Sequence, residues 1–204
     1  DIGAAVVEAV TGMRWEAYLK KTVLDPLGMT SSGFVPSEEW LKTKIEMYNC
    51  QTNAPAVWRE FNPAMARPYG DDRVFASAGA GLWTTARDQL KFYKMLMNLG
   101  LGENGARILK EETVKDILAT STRPKGLGGY SLGLHTGGDN GWFGHGGAWG
   151  TNCQVNWKER KLKLCVVQLC GQPRPWYAGL AKAEEQFFKA TVGGHGDEYV
   201  GRMK

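Results

Sequence analysis

The stretch Gly144-His145-Gly146-Gly147, which follows the aromatic pair Trp142-Phe143, decides how this 204-residue chain is interpreted. Glycine has no Cβ atom, so a strand edge rich in glycine lets a ligand approach the backbone within hydrogen-bonding distance. The imidazole among these glycines can hold or pass a proton near neutral pH, because its unperturbed pKa is about 6.5. The stretch therefore predicts a strand edge with a functional histidine, and a turn histidine without a role is the competing interpretation.

Length and composition indicate a globular chain with one sizeable core or two smaller ones. Hydrophobic residues make up 43% of the chain and charged residues 23%, without an excess of disorder-promoting types. The net charge of +4 is mild, and the basic residues are scattered except at positions 158–163. Because no basic stripe alternates with aromatic side chains, we do not expect nucleic-acid binding.

The spacing of apolar residues predicts that helices dominate the first part of the chain. Helices are expected at 2–10, 15–24, 85–98 and 108–118, and a last one at 178–192. The first helix is apolar on most faces, so we expect it to be buried. Thr85 and Asp88 form a variant capping box, in which the hydroxyl and the carboxylate both satisfy free N–H groups at a helix start.

The pattern changes after residue 130 to short runs with alternating, β-branched or aromatic residues, separated by turn residues. These runs predict antiparallel strands at 130–135, 142–145, 151–157 and 162–170. We therefore expect an α+β fold in which an antiparallel sheet is flanked by helices. The domain would span residues 1–192, and residues 193–204 would form a C-terminal tail.

Three segments resemble the serine beta-lactamase-like family, which includes class C beta-lactamases, related esterases, D-aminopeptidases and DD-peptidases. They are Asp25-Pro26-Leu27-Gly28-Met29-Thr30, Gly81-Leu82-Trp83-Thr84-Thr85-Ala86-Arg87-Asp88 and His145-Gly146-Gly147, in that order. The last one stands where the family carries Lys-Thr-Gly, His-Gly-Gly or a close variant. The resemblance covers about residues 2–188 and implies a beta-lactamase/transpeptidase-like fold with acyl-enzyme chemistry on an ester, an amide or a beta-lactam.

Two motifs of this family are absent from the chain. None of its six serines has a lysine three positions later, so there is no Ser-x-x-Lys, and no tyrosine begins a Tyr-x-Asn. Both motifs lie upstream in the family. We therefore expect the chain to be the C-terminal part of a serine hydrolase, incomplete at its N-terminus and inactive by itself. Its partners would be the missing N-terminal segment of the same protein and a small-molecule ester, amide or peptide substrate.

The resemblance implies a site along the His145 edge. His145 would help to position a substrate carbonyl or carboxylate and would relay a proton. The backbone N–H of Ala148, directly after the triplet, would form half of an oxyanion hole. Gly146, Gly147 and Trp149 are the candidate substrate-binding residues. Because histidine replaces the lysine of the family, a permanent positive charge is lost, which favours ester or D-amino-acid-peptide substrates over penicillins.

Two alternatives compete with this interpretation. The segment Gly129-Tyr130-Ser131-Leu132-Gly133 matches the nucleophile elbow G-x-S-x-G, but that motif needs a helix directly after the serine. Residues 134–139 cannot start a helix, so we interpret 130–135 as a structural strand that leads to the His145 edge. The alternative from a different class is a non-catalytic binding or interaction module that keeps the scaffold and has lost the nucleophile.

Neither a metal nor a cofactor is expected. The four cysteines (Cys50, Cys153, Cys165 and Cys170) show no C-x-x-C spacing, and the three histidines have no i,i+4 pairing. Buried thiols are favoured, with a disulfide between Cys153 and Cys165 as the alternative. The longest apolar run, 164–170, is too short to span a bilayer. The compartment stays open, although the resemblance implies a periplasmic or secreted protein.

Overall fold

The computed structural model describes residues 1–46, 48–49, 56–57, 76–119, 129–136, 141–147, 150–170, 182 and 186. Helices dominate the first part of these ranges, and a four-stranded antiparallel sheet follows them. This order confirms the predicted α+β class. The described helices are α1 (Ile2–Thr11), α2 (Trp15–Leu19), α3 (Glu38–Thr43), α4 (Ala86–Met97) and α5 (Glu111–Ala119). A π-helical turn at Lys20–Leu24 continues α2, so the predicted helix at 15–24 changes type after its first five residues.

The strands fall into two sheets. They are β1 (Tyr48–Asn49), β2 (Ala56–Val57), β3 (His135–Thr136), β4 (Trp142–Gly146), β5 (Asn152–Asn156), β6 (Lys161–Cys165) and β7 (Leu169–Cys170). The larger sheet has the order β3-β4-β5-β6, and all its pairs are antiparallel. The smaller sheet has the order β2-β1-β7, in which β7 runs parallel to β1. The single strand predicted at 162–170 is therefore wrong, because β6 ends at Cys165 and β7 pairs in the other sheet.

The hydrophobic core lies between one face of the larger sheet and α4. Side chains alternate between the two faces of a strand, so Phe143 of β4 shares a face with Cys153 and Val155 of β5. All three are buried. The core cluster that they join comprises Leu24, Leu27, Met29, Met95, Leu96, Met97 and Val114. The helices therefore cover the face of the sheet to which the odd-numbered residues of β4 belong.

Asn156 closes the hairpin between β5 and β6. Its side chain is buried, and its Oδ1 atom accepts hydrogen bonds from the backbone N–H groups of Lys158 at 3.1 Å and Glu159 at 3.0 Å. An asparagine side chain that bonds the backbone two and three residues later makes a turn by itself. Arg160 completes the turn with a left-handed φ of 57°. This turn sets where β6 begins.

Asp88 joins the start of α4 to the loop that follows the π-helical turn. Its side chain is almost fully buried, with the whole residue 2% exposed. The carboxylate accepts hydrogen bonds from the backbone N–H of Ser31 at 2.8 Å and from the Ser32 hydroxyl at 2.9 Å. It also pairs with the Lys91 ammonium at 2.9 Å. The loop thus supplies the donors that a buried carboxylate requires.

The predicted capping box is half correct. The Thr85 hydroxyl accepts a hydrogen bond from the backbone N–H of Asp88 at 3.2 Å, as expected for an N-cap residue. The Asp88 carboxylate was expected to bond to the start of its own helix, and this expectation is wrong. It turns instead to Ser31, Ser32 and Lys91, because these groups offer two donors and a positive charge to a buried anion.

The expectation that the first helix is buried is also wrong. Only Ala4 of α1 is buried, and Ile2, Val6 and Val10 are 84%, 56% and 80% exposed. Residues four apart share a helix face, so these three side chains form an exposed apolar stripe. On the opposite side of α1, Glu8 accepts a hydrogen bond from the backbone N–H of Trp15 at 2.7 Å. This bond attaches α1 to the first residue of α2. Helical periodicity shows which residues share a face, and the partners of that face decide its burial.

Two predictions concern residues that are mostly outside the described ranges. Of the helix expected at 178–192, the structure describes Lys182 and Gln186, both helical. The tail predicted at 193–204 lies outside the described residues. Within the ranges that the structure covers, no helix has the length and hydropathy that crossing a membrane would take.

The Asp88 contacts lead to a stability prediction. Replacing Asp88 with Asn removes the charge and one acceptor, so we expect the free energy of unfolding to fall by about 2 kcal/mol. Urea denaturation followed by circular dichroism measures this change. The matched control is Asp25→Asn, because Asp25 pairs with Lys20 at the surface, where such a pair contributes at most about 1 kcal/mol. Equal losses for the two variants would contradict the anchoring role of Asp88.

Candidate functional site

His145 lies near the end of β4, opposite Cys153 of β5. It belongs to the same face of the sheet as Phe143, two residues earlier, because side chains alternate along a strand. Phe143 is buried in the core, whereas His145 is exposed. The strand therefore passes from the core to the surface within two residues, and it presents an imidazole at its end.

Both ring nitrogens of His145 have partners in the chain. The Nδ1 atom lies 2.6 Å from the carbonyl oxygen of Gly146. The Nε2 atom lies 3.1 Å from the hydroxyl oxygen of Tyr130. Two contacts on opposite sides of the ring limit its rotation about the bond to the backbone, so the imidazole is held in one orientation.

Two further rings surround His145, and the sequence analysis missed both as members of a site. The Tyr130 and His135 rings meet edge to face, with centroids 4.8 Å apart. The His135 and His145 centroids are 5.2 Å apart. His135 pairs with Gly144 across β3 and β4, so its backbone lies one position from that of His145 on the neighbouring strand. The signal available in the sequence was the short hairpin itself, which brings residues on either side of its turn together.

The three glycines around His145 serve different purposes. A Cβ atom on Gly144 would collide with the backbone carbonyl of Cys153, and one on Gly147 would collide with the Thr151 hydroxyl. A Cβ atom on Gly146 would lie 3.9 Å from its nearest neighbours, so the space beside Gly146 is open. The expectation that all three glycines clear space for a ligand is therefore wrong at Gly144 and Gly147, where the Cys153 carbonyl and the Thr151 hydroxyl occupy that space.

A tight turn follows β4. The Gly147 N–H donates to the Thr151 carbonyl at 2.6 Å, and the Gly150 N–H donates to the Gly147 carbonyl at 3.1 Å. Gly147 thus has no backbone N–H left for a substrate oxygen. Ala148 and Trp149 lie outside the described residues, so their predicted roles in the oxyanion hole and in substrate binding stay predictions.

The geometry around Ser131 excludes the nucleophile elbow. Ser131 is 1% exposed, and its hydroxyl donates to the backbone carbonyl of Ile117. The strand predicted at 130–135 is also wrong, because the Ser131 N–H bonds the Leu134 carbonyl at 2.7 Å in a tight turn. Gly133 adopts a left-handed φ of 93° in that turn, a conformation that glycine adopts without strain. This turn brings Tyr130 into an antiparallel bridge with His135.

Cys153 is a buried free thiol, as the sequence predicted. Burial raises the pKa of the Cys153 thiol to about 12, although a hydrogen bond with Tyr93 acts in the opposite direction. The thiol is therefore protonated near neutral pH and is a poor nucleophile. The alternative disulfide is wrong, because the strand register places Cys153 opposite Leu164 and Cys165 opposite Asn152, on the other face.

The hydroxyl groups of three further described serines make bonds within the scaffold. Ser32 bonds Thr84 and Asp88, Ser37 caps α3, and the Ser77 hydroxyl donates to the Asp1 carboxylate. In the ranges that the structure describes, no group of three or more His, Cys, Asp or Glu side chains is arranged to hold a metal ion.

Comparison with known proteins identifies the family. The family model described as beta-lactamase matches residues 1–182. The chain belongs to the beta-lactamase family. Its members are serine hydrolases, and this assignment confirms the resemblance inferred from the three sequence segments.

Similar proteins are longer than this chain. Protein Rv1367c of Mycobacterium tuberculosis (strain ATCC 25618 / H37Rv) is 30% identical over 115 residues, which cover 56% of this chain and 27% of that protein. Simvastatin synthase (LovD) from Aspergillus terreus has a similar fold, with a TM-score of 0.71 at 17% identity over 94% of this chain and 54% of that one. D-amino acid amidase from Ochrobactrum anthropi SV3 also has a similar fold, with a TM-score of 0.63 at 16% identity over 94% of this chain and 55% of that one. The chain thus spans about a quarter of the curated relative and about half of each solved structure.

The glycine contacts lead to a paired prediction. Gly144→Ala should lower the free energy of unfolding by about 2 kcal/mol or more, because β4 and β5 must move apart to admit the methyl group. Gly146→Ala should change it by less than about 0.5 kcal/mol, since its side is open. Chemical denaturation of both variants measures the difference. A similar loss in the two variants would show that the close approach at Gly144 does not determine the strand pairing.

Proposed function

We propose that this member of the beta-lactamase family contributes the His145 strand edge to the active site of a serine hydrolase. The nucleophilic serine and its lysine would lie outside this chain. The observation that carries the proposal is the exposed imidazole of His145, held at the end of β4 beside the open side of Gly146. The imidazole occupies the place in the sequence where the family has its Lys-Thr-Gly or His-Gly-Gly motif.

The absence of Ser-x-x-Lys supports a nucleophile from outside these residues. None of the six serines has a lysine three positions later, and Ser131 donates its proton to a backbone carbonyl in the interior. Acyl transfer needs a nucleophile beside a base. The chain also covers about half of the similar solved structures. We therefore propose that a further segment supplies the serine, its lysine and the tyrosine of the family.

β4 lies between β3 and β5 in the sheet, and β3 pairs only as far as Gly144. In the proposed reaction the acyl carbonyl of the substrate therefore lies beside the end of β4, at His145 and Gly146. The supplied serine attacks the carbonyl carbon and gives its proton to the lysine base. The Ala148 N–H stabilises the oxyanion, a contact whose loss typically costs about 3 kcal/mol of transition-state stabilisation. When the bond to the leaving group breaks, that alcohol or amine takes a proton, which His145 relays in this proposal. Water then hydrolyses the acyl-enzyme.

The residue type at position 145 bears on the substrate class. A lysine at this position would carry a permanent charge suited to a carboxylate, and His145 bonds instead to a carbonyl and a phenol hydroxyl. We therefore propose an ester, an amide or a D-amino-acid peptide as the substrate rather than a penicillin. The similar fold of the D-amino acid amidase complexed with L-phenylalanine amide supports an amide among these candidates.

The proposal predicts that the 204-residue chain is inert by itself. Purified alone, it should hydrolyse nitrocefin and p-nitrophenyl acetate no faster than a histidine-containing control protein, because it lacks an activated serine. A fluorophosphonate probe followed by peptide mapping should leave Ser131 unlabelled. Saturable turnover that Ser131→Ala abolishes would instead support the nucleophile elbow, and turnover that survives it would reveal another nucleophile.

His145→Ala should lower kcat/KM by about 100-fold or more in a protein that also carries the Ser-x-x-Lys segment, a loss typical of a proton-transfer residue. Steady-state hydrolysis of p-nitrophenyl acetate measures this loss. Gln154→Ala is the matched control, because Gln154 is exposed on the adjacent strand and faces away from His145. If both variants lose equally little activity, His145 is not part of the catalytic site.

The reading frame upstream of Asp1 decides between the enzyme and the alternative module. A Ser-x-x-Lys encoded there would support the proposed hydrolase. A frame without it would support a non-catalytic binding or interaction module on the same scaffold. The intact mass of the polypeptide in its source provides the same information at the protein level.

A further inference from the structure

The contacts of His145 define where its proton lies. A carbonyl oxygen only accepts hydrogen bonds, so the Nδ1 atom, 2.6 Å from the Gly146 oxygen, must carry the proton in order to bond to it. A neutral imidazole has one N–H group, so the Nε2 atom then presents a lone pair. The Tyr130 hydroxyl, 3.1 Å away, donates to that lone pair. The histidine side chain in water favours the other tautomer, so the surrounding groups reverse its own preference.

The Tyr130 hydroxyl is held in place by the fold. Tyr130 forms an antiparallel bridge with His135, and its ring packs edge to face on the His135 ring with centroids 4.8 Å apart. The tight turn between these two residues is closed by the bond from the Ser131 N–H to the Leu134 carbonyl. Backbone pairing and ring packing together orient the hydroxyl towards Nε2.

We infer that Tyr130 is a positioning residue for His145, whose hydroxyl holds the imidazole in the Nδ1–H tautomer and keeps Nε2 as the proton acceptor. The inference about the tautomer is independent of any activity. Its catalytic consequence rests on the proposed function, in which His145 relays a proton.

The Tyr130 hydroxyl and the His145 imidazole can pass a proton between them without a change in the positions of their rings. A group that gives a proton to the Tyr130 oxygen allows the original hydroxyl proton to pass to Nε2, so the tyrosine stays neutral and the imidazole becomes charged. The contact then persists with its direction reversed, because the Nε2–H group donates to the Tyr130 oxygen. The Nδ1–H bond to Gly146 keeps the ring in place in both states, so Nε2 is the atom that gains and loses the proton.

Nitrogen-15 NMR of the labelled full chain tests the tautomer directly. At about pH 8.5, well above the ordinary histidine pKa of about 6.5, the wild-type His145 should show a protonated Nδ1 and an unprotonated Nε2. In Tyr130→Phe the two nitrogen shifts should move towards each other as the Nε2–H tautomer gains population. The matched control is Tyr18→Phe, which removes a hydroxyl on α2 and should leave the His145 shifts unchanged.

Two NMR results would overturn the inference. A wild-type His145 with its proton on Nε2 would overturn the inference, and this measurement needs no variant. Shifts in Tyr130→Phe that match the wild type would overturn it as well. Tyr130→Phe keeps the ring that packs on His135, and the dispersion of its spectrum shows whether it is folded.

The catalytic consequence has a separate readout. In a protein that carries the Ser-x-x-Lys segment, Tyr130→Phe should lower kcat by about 10-fold with little change in KM, and it should add nothing to the loss in His145→Ala. A large His145→Ala effect with an unchanged tautomer in Tyr130→Phe would refute the inference and leave the proposed function intact. A tautomer set by Tyr130 with no effect of His145→Ala on activity would refute the proposed function instead.

Discussion

The close approach of β4 and β5 at Gly144 is the constraint on which the rest of the structure depends. The Cys153 carbonyl occupies the space that a side chain on Gly144 would need, so the two strands can pair closely only with glycine at that position. This pairing places Phe143 opposite Val155 and His145 opposite Cys153. A slip of one residue would move every side chain of β4 to the other face of the sheet. The burial of Phe143 and the presentation of His145 are thus two consequences of one register.

The same face of the sheet has two electrostatic environments. Cys153 is enclosed by the core, where burial raises the pKa of its thiol to about 12 and keeps it neutral. His145, its partner across the strands, is exposed and bonds through both ring nitrogens. The scaffold therefore keeps one thiol neutral in the core and presents one imidazole at the surface within a single residue pair. The Asp88 contacts hold the loop at residues 31–32 to α4, the helix that packs against this sheet.

Local patterns predicted the elements well where a short-range signal existed. The Thr85 cap set the start of α4, and alternation of residue types located β4 and β5 to within one residue. Prediction failed where an element depends on a distant partner. The strand expected at 162–170 divides because β7 finds its partner in β1, more than a hundred residues away in the chain. Burial of α1 was likewise inferred from its composition, although burial depends on what packs against the helix.

The sequence by itself determined the family, the position of the His-Gly-Gly tripeptide and the absence of Ser-x-x-Lys, because motifs and glycine positions are properties of the chain alone. Only the tertiary structure decided the partners of the polar side chains. It buried Ser131 against the Ile117 carbonyl and directed the Tyr130 hydroxyl to His145. The physical reason is that a hydrogen bond needs its two groups within about 3 Å of each other. Sequence patterns give the spacing along one element, but the packing of several elements sets the distances between them.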